Sequence, residues 1–230
     1  MGPIAPVDVH VGAGCRRLRT ECQQRPVRAP EQVEEAHAVA RGRIRRPVAG
    51  LATRVFERVG YLNTKITDIT AEAGRAAGSF YNHFRGKEEL LESLLADMLA
   101  AGDQAIEADP AHDPDLGGRA AIRWHVEQYW RFFRDHRVVM IALQQASLVD
   151  QRFADRLSAL LEPDLRHLAD HLRGTAQRPE ATALALSSLW HQFAYAVLVE
   201  RSPLADGLAD DQAIDLLTDL THRGLNGTGP

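Results

Sequence analysis

The residues best suited to contact another molecule lie between Gly74 and Leu91, in the stretch GRAAGSFYNHFRGKEELL. Its serine, tyrosine, asparagine, histidine and cations are the groups that reach phosphates and base edges of DNA. Phe80 and Phe84 are one helical turn apart, so both can face a core. Gly78 removes a side chain where two backbones would approach closely. The stretch therefore predicts a short helix with one buried aromatic face and one polar face shaped for the major groove.

The flanking sequence predicts the helices that would position this one. From Pro47 to Val59 apolar residues recur with the period of an amphipathic helix, which Gly60 ends. In NTKITDITAEAG the Thr64 hydroxyl is expected to cap a second short helix, and Gly74 closes it because this position favours positive φ. The third helix is expected from about Ala77 to Phe84. Short helix, glycine turn and second short helix form a helix-turn-helix pattern.

The remainder of the chain also predicts helices. Lys87 opens a long one, with Leu90, Leu91, Leu94, Leu95 and Met98 as its core stripe. Five more are expected near 118–135, 137–147, 150–173, 179–201 and 210–223. Pro163 should kink or restart one of them, and Asp210 or Asp211 should cap the last. No segment shows a sustained period of two, so the fold class is all-α.

The segment GYLNTKITDITAEAGRAAGSFYNHFRGKEELL resembles the DNA-binding domain of the tetracycline-repressor (TetR) family over residues 48–95. The matching elements are Gly60-Tyr61, Thr64, Asp68-Ile69, Ala73-Gly74, Gly78, Phe80-Tyr81, His83-Phe84, Lys87 and Glu89-Leu90. The resemblance implies an N-terminal three-helix DNA-binding domain and a C-terminal helical domain for ligand binding and dimerisation. It further implies a dimeric regulator, usually a repressor, that binds a palindromic operator and is released by a small molecule. It implies no enzyme and no cofactor.

In that family the residues matching Thr64, Tyr81 and Lys87 contact phosphates, and the recognition helix reads bases. The sequence departs from the family in two places. Ala76 replaces the hydroxyl residue that normally caps the recognition helix, and Ala77 replaces a variable, often basic residue. Arg75 could substitute as a phosphate or guanine reader, or be a solvated surface residue, and His83 could instead pack on the first helix. The predicted DNA-binding residues are Thr64, Lys65, Arg75, Ala77, Gly78, Ser79, Tyr81, Asn82, His83 and Lys87.

Aromatic residues are concentrated in two later segments, IRWHVEQYWRFFRDHRVVM and SLWHQFAYAVLVE. They surround more of each helix than one core stripe needs, although ordinary core packing explains most of them. The alternative is an apolar cavity for an apolar or aromatic effector. The residues predicted to line it are Trp124, His125, Gln128, Tyr129, Phe133, Phe153, Trp190, His191 and Phe193. His167 and His171 are spaced i, i+4, but a solvated face is favoured there and no metal site is predicted.

Charge divides the chain unevenly. Residues 1–46 carry nine Arg against five Asp and Glu, whereas residues 91–230 carry twelve Arg against twenty-one acids. This favours a polyanion partner for the front only, although a solvated acidic surface would explain the back equally well. We expect three regions: a flexible basic arm (1–46), the helix-turn-helix domain (47–92) and a ligand-binding and dimerisation domain (93–230).

Partners and location complete the expectations. The last two long helices, 179–201 and 210–223, combine small and large apolar residues and are predicted to form the homodimer. The sequence contains no run of eighteen apolar residues, so no membrane span is predicted, and a cytoplasmic location is expected. Two other functions remain open: an all-α enzyme, for which no nucleophile motif or phosphate loop is present, and a helical interaction module that has lost DNA binding.

Overall fold

The computed structural model describes residues 50–227, apart from the side chain of residue 107. The predicted arm, residues 1–46, lies outside the described residues. The described part contains no strand, and the prediction of an all-α fold is confirmed. Its helices are α1 (residues 50–59), α2 (Ile66–Glu72), α3 (Ala77–Tyr81), α4 (Lys87–Ala108), α5 (Arg119–Asp135), α6 (Arg137–Val149), α7 (Gln151–His171), α8 (Pro179–Leu198) and α9 (Asp210–Asn226).

Two glycines end the first two helices in the predicted way. Gly60 follows α1 with φ of 78°, and Gly74 follows α2 with φ of 60°. Both values lie in the left-handed region that glycine enters without a steric cost. The third helix is shorter than predicted, because it ends at Tyr81 and not at Phe84. The N–H groups of His83 and Phe84 both bond to the carbonyl of Phe80, which closes the helix in a tight turn.

Three local predictions are wrong. Thr64 does not cap α2: its hydroxyl donates to the carbonyl of Gly60 at 2.7 Å, and the cap position is Lys65. Neither Asp210 nor Asp211 caps α9, whose cap position is Ala209 with its N–H bonded to the side chain of Gln212. Of the two alternatives predicted for Pro163, the restart is wrong because α7 runs through this residue, whereas the kink stays a prediction.

The first core joins the three N-terminal helices to α4, α6 and α7. Phe80 and Phe84 contribute from α3 and the turn after it, and the predicted leucine stripe of α4 is fully used. Residues from α6 and α7, among them Leu143 and Phe153, complete the same cluster. The expected boundary between residues 92 and 93 falls inside α4, so the two expected domains share one continuous helix and one core.

The second core lies among α5, α7, α8 and α9. Trp130, Phe133 and Trp190 are its largest buried side chains. At the surface, Arg–Asp pairs connect α5 to α9: Arg119 to Asp219 at 2.8 Å, Arg123 to Asp215 at 2.9 Å and Arg134 to Asp210 at 2.7 Å. The residue numbers rise along one helix as they fall along the other, so α5 and α9 run antiparallel.

None of the helices within residues 50–227 combines the length and the apolar character that a bilayer span requires.

Candidate nucleic-acid interface

Helix α3 has one buried and one exposed face. Phe80 and Phe84 are buried, with ring centroids 5.4 Å apart. Tyr81, in contrast, is 59% exposed, and Asn82 next to it is also exposed. An exposed tyrosine at the end of a helix that follows a glycine turn is a group free to meet an external partner. The polar face predicted from the sequence is therefore present in the folded chain.

Gly78 lies on this exposed face, as the second residue of α3. Its φ is not positive, and a Cβ built on it would meet no atom within 4 Å. Neither backbone strain nor packing within the described residues therefore requires glycine at this position. The close approach of another molecule to Gly78, predicted from the sequence, stays a prediction.

The start of α3 lacks the side-chain cap that its backbone geometry would accept. Ala76 occupies the cap position with φ of −70° and ψ of 148°, and it forms no side-chain hydrogen bond. Serine or threonine in that conformation accepts one of the unpaired N–H groups of the first turn, worth about 1 kcal/mol. The sequence indicated that α3 lacks a side-chain cap, and the folded chain indeed lacks one.

The cations near α3 fall into two groups. Arg54 and Arg58 both pair with Glu72, at 3.5 and 3.2 Å, and Arg85 pairs with Glu89 at 3.3 Å. Lys65 and Arg75 are exposed and form no ion pair with any residue between 50 and 227. Because no carboxylate neutralises them, these two cations are the ones available for phosphates.

Lys87 is engaged within the subunit. Its Nζ donates to the carbonyls of Tyr61 at 2.9 Å, Thr64 at 3.2 Å and Leu62 at 3.4 Å, and lies 4.4 Å from the centre of the Tyr61 ring. The Tyr61 hydroxyl in turn donates to Glu88 at 3.1 Å. Burial and the Glu88 carboxylate raise the pKa of Tyr61. Lys87 thus ties the turn between α1 and α2 to the start of α4, and its phosphate contact stays a prediction.

Other predicted DNA-binding residues are less accessible. Thr64 is only 3% exposed, and the proton of its hydroxyl is used on Gly60, so the geometry gives no support to a phosphate contact by this side chain. Ser79 and His83 are half-buried and line a shallow pocket with Ile69 of α2. The predicted DNA contacts of Ser79 and His83, and the alternative that His83 packs on the first helix, all stay predictions. Ala77 is also half-buried.

The nine predicted effector-binding residues do not form one group of contacting side chains within residues 50–227, and a cavity that all of them share stays a prediction. Phe153 belongs to the first core, with the N-terminal helices. Trp124 and His125 lie beside His112, with ring centroids 4.9 and 5.3 Å from it. Gln128 is half-buried on α5. The remaining five residues stay together in the second core: Tyr129, Phe133, Trp190, His191 and Phe193.

The group that stays together is internally hydrogen-bonded. The Tyr129 hydroxyl and the Nδ1 of His191 are 3.0 Å apart, and the indole N–H of Trp190 donates to Thr221 at 3.1 Å. Burial lowers the pKa of His191 and raises that of Tyr129, so both side chains are neutral near pH 7. These contacts describe a well-packed core between α5 and α8.

One cluster was missed by the sequence reasoning. His112, His125 and His171 come from three different segments and bring one ring nitrogen each within 4.8 Å of the others. Their separation along the chain carries no motif, so only the packing of α5 against α7 and of the loop before α5 reveals it.

The N-terminal helices are similar in sequence to those of known proteins. Residues 51–94 match the sequence profile of "Bacterial regulatory proteins, tetR family". The chain is 26% identical over 195 residues to the HTH-type transcriptional regulator EthR of Mycolicibacterium smegmatis, covering 80% of this chain and 86% of that protein. It is 41% identical over 49 residues to the HTH-type transcriptional repressor KstR2 of the same species, covering 21% of this chain and 24% of that protein.

A solved structure extends the similarity beyond the DNA-binding helices. The crystal structure of a TetR-like transcriptional regulator from Rhodococcus sp. RHA1 superimposes with a TM-score of 0.58 at 26% identity, covering 79% of this chain and 94% of that one. These relatives are regulators and not enzymes, which confirms that part of the prediction. The helix-turn-helix, the profile match over residues 51–94 and the shared fold agree, and they confirm the predicted similarity of this chain to DNA-binding transcriptional regulators of the tetR family.

Proposed function

We propose that this regulator binds a palindromic DNA operator as a homodimer, with α3 of each subunit in the major groove, and represses transcription from that site. The observation that carries the proposal is the exposed face at α3, where Tyr81 and Asn82 lie one turn after Gly78, a glycine that no contact within residues 50–227 requires. A helix in the major groove needs such a face, because base edges and phosphates are reached by polar side chains on a closely approaching backbone.

Lys65 and Arg75 supply the electrostatic part of the contact. Both are exposed, both flank the polar face along the chain, and neither is neutralised by a carboxylate of the described residues. Each phosphate that a cation neutralises releases counterions and steepens the dependence of affinity on salt. Arg75 precedes the start of α3, where it is placed to contact a phosphate or a guanine at the edge of the groove.

The homodimer is supported by leucines that the subunit leaves uncovered on α8 and α9. Leu184 and Leu220 are 56% and 51% exposed, and Leu189 and Leu216 are also exposed. Ile214 and Leu217 of α9 are buried in the subunit's own core and cannot contribute to such a contact. Two-fold pairing through α8 and α9 would cover the exposed leucines and present two recognition helices to half-sites about 34–36 Å apart.

A small apolar or aromatic effector would release the operator. The candidate contact residues are the five that remain together between α5 and α8, with the Tyr129 hydroxyl and His191 as the polar pair. Binding there has to rearrange the packed core, so Trp190 emission should change when an effector enters. A ligand that releases DNA without any change in tryptophan emission would remove this assignment.

The test of DNA binding is retention of labelled DNA from the intergenic region upstream of the protein's own gene. Arg75→Ala and Lys65→Ala should weaken binding about tenfold and lower the salt slope by about one unit each. Arg178→Ala, an exposed arginine at the start of α8, is the matched control and should bind as the parent does. Repression requires, in addition, that a reporter under this DNA is expressed more strongly without the protein.

The alternative function, a helical interaction module without DNA binding, is favoured by the uncapped start of α3. It predicts no retention of any upstream DNA and equal behaviour of Arg75→Ala and Arg178→Ala. Retention that Arg75→Ala and Lys65→Ala weaken and that Arg178→Ala leaves unchanged excludes it.

A further inference from the structure

Three histidines from separate segments meet in the C-terminal half of the chain. His112 lies in the loop between α4 and α5, His125 is in the second turn of α5, and His171 is the last residue of α7. One ring nitrogen of each lies within 4.8 Å of the other two. The His125 Nε2 and the His171 Nδ1 are 3.2 Å apart, and the ring of His112 is centred 5.3 Å from both other rings.

Hydrogen bonding orients the central member of the cluster. The Nδ1 of His125 is 2.9 Å from the carbonyl oxygen of Ala121, which can only accept, so Nδ1 carries the proton. The Nε2 of His125 therefore presents its lone pair to the other two histidines. A ligating histidine in proteins usually has this arrangement, with its second nitrogen donating to a carbonyl or carboxylate that fixes the ring.

His112 contributes a buried polar atom that the protein does not satisfy. Its Nε2 is shielded from solvent and has no hydrogen-bond partner among the described residues. An unpaired buried polar group costs about 1–3 kcal/mol. A cation that is bound by this nitrogen would remove that cost.

Burial keeps the imidazoles of His125 and His171 uncharged near pH 7. Burial lowers the pKa of His125, and burial together with the neighbouring histidines lowers the pKa of His171 to about 4. Neutral imidazole is the form that binds metal ions. His171 can move its single proton from Nδ1 to Nε2, which frees Nδ1 to bind a metal ion.

We propose that His112, His125 and His171 form a binding site for a divalent transition metal ion, with Zn²⁺ as the best fit. Three nitrogen ligands suit Zn²⁺, Ni²⁺, Co²⁺ and Cu²⁺, and not Mg²⁺ or Ca²⁺, which prefer oxygen. With metal–nitrogen distances of about 2.0–2.1 Å, tetrahedral ligands lie about 3.3 Å apart. The His125–His171 pair already has this separation, and the remaining movement falls on His112, which is in a loop.

A fourth position is left for water or another ligand. The ring of His167 is centred 4.5 Å from that of His171, one turn earlier on α7, but it is exposed and outside the three-nitrogen cluster. The Asp109 carboxylate accepts from the indole N–H of Trp124 at 3.1 Å. The site thus consists of three protein ligands and an open coordination position, and it does not depend on DNA binding.

Trp124 provides an internal reporter. Its ring is centred 4.9 Å from the rings of both His112 and His125. Paramagnetic Co²⁺ or Cu²⁺ bound at this distance quenches indole emission, whereas diamagnetic Zn²⁺ competes without doing so to the same extent. Quenching by Co²⁺ that Zn²⁺ reverses would therefore report occupancy of this site and not collisions in solution.

The experiment uses the full chain, stripped with EDTA and titrated with Zn²⁺ in a calorimeter and with Co²⁺ by fluorescence. We expect one ion per subunit, a visible Co²⁺ spectrum of a tetrahedral site, and quenching that Zn²⁺ reverses. His112→Ala and His171→Ala should each weaken Zn²⁺ binding more than about 100-fold, beyond the 10–100-fold typical for loss of an outer partner. His222→Ala, in α9, is the control and should leave affinity unchanged.

Three results would overturn the proposal. The first is no Zn²⁺ binding by the parent protein. The second is equal affinity of the parent and His112→Ala, with both shown to be folded by circular dichroism. The third is loss of binding in His167→Ala but not in His112→Ala, which would assign the ion to the helical pair on α7. Cys15→Ser and Cys22→Ser together remove the thiols outside the described residues, and binding must survive that change.

Discussion

Replacing Gly78 by alanine should move stability and DNA affinity in opposite directions. Glycine disfavours a helix by about 1 kcal/mol relative to alanine at an interior position. Gly78 is the second residue of a five-residue helix, so about half of that gain is expected. Because the new methyl group meets no atom within 4 Å, no clash offsets the gain. For a chain of this size, about 0.5 kcal/mol raises the unfolding temperature by about 1–2 °C.

The same methyl group should weaken DNA binding. If the backbone at Gly78 approaches the duplex closely, an added carbon has to displace one or the other, and inserting a methyl group into a tight contact costs about 1–3 kcal/mol. A loss of 1.4 kcal/mol is a tenfold loss of affinity. We therefore expect a rise of about 5- to 150-fold in the dissociation constant, measured by fluorescence anisotropy on operator DNA at fixed salt.

The matched control is Gly102→Ala in α4, where an added Cβ also meets nothing within 4 Å. It should raise the unfolding temperature by about 2–4 °C and leave DNA affinity unchanged. Equal DNA affinity of the Gly78 and Gly102 variants would refute close approach at Gly78. A lower unfolding temperature for Gly78→Ala would refute the conformation of α3 described above.

Four further changes test other parts of the structure. Ala76→Ser should add the missing cap and raise the free energy of unfolding by about 1 kcal/mol, measured by urea denaturation. Lys87→Met should lower it by about 1–3 kcal/mol, because three carbonyls lose a charged donor. The double variant Leu184→Glu, Leu220→Glu should weaken the dimer about a thousandfold, measured by ultracentrifugation. Each of the two subunits would lose two half-exposed leucines, and each leucine contributes about 1 kcal/mol. His191→Asn should reduce the loss of stability between pH 7 and pH 5.

The sign of the last effect follows from burial. The pKa of His191 is lowered in the folded state, so the unfolded chain, with a histidine pKa of about 6.5, binds the proton more readily. Stability is therefore complete above about pH 6.5 and falls as the pH drops towards the folded-state value. An identical pH dependence in His191→Asn would contradict this. For the other changes, unaltered stability of Ala76→Ser or Lys87→Met, or a dimer weakened equally by Leu148→Glu on α6, would be the contrary results.

The features that sequence predicted well depend on residues within one or two turns of each other. Helix ends at Gly60 and Gly74, and the buried faces set by Phe80, Phe84 and the α4 leucines, follow from local geometry and hydrophobic period. The predicted capping role of Thr64 was wrong because its hydroxyl bonds back to the carbonyl of Gly60. Both this carbonyl and the first turn of α2 are local partners, and the sequence does not decide between them.

Features created by the packing of distant helices could not be read in advance. Lys87 reaches carbonyls more than twenty residues away, and the histidine cluster joins residues up to 59 positions apart, from 112 to 171. The aromatic residues of α5 lie in different surroundings, because a helix with aromatic side chains on every side contacts several neighbours at once. Their grouping depends on tertiary structure, so the sequence alone could not separate these surroundings.

The continuity of α4 has a mechanical consequence. This helix of 22 residues is about 33 Å long, and it runs from the turn that Lys87 fastens to the loop that carries His112. A rod of that length, tilted by about 10° at one end, displaces the other by about 6 Å. A restraint on the loop that carries His112 therefore limits the angles that α4 can adopt. A small rotation at this end of α4 would shift the N-terminal helices far enough to move them out of a DNA groove.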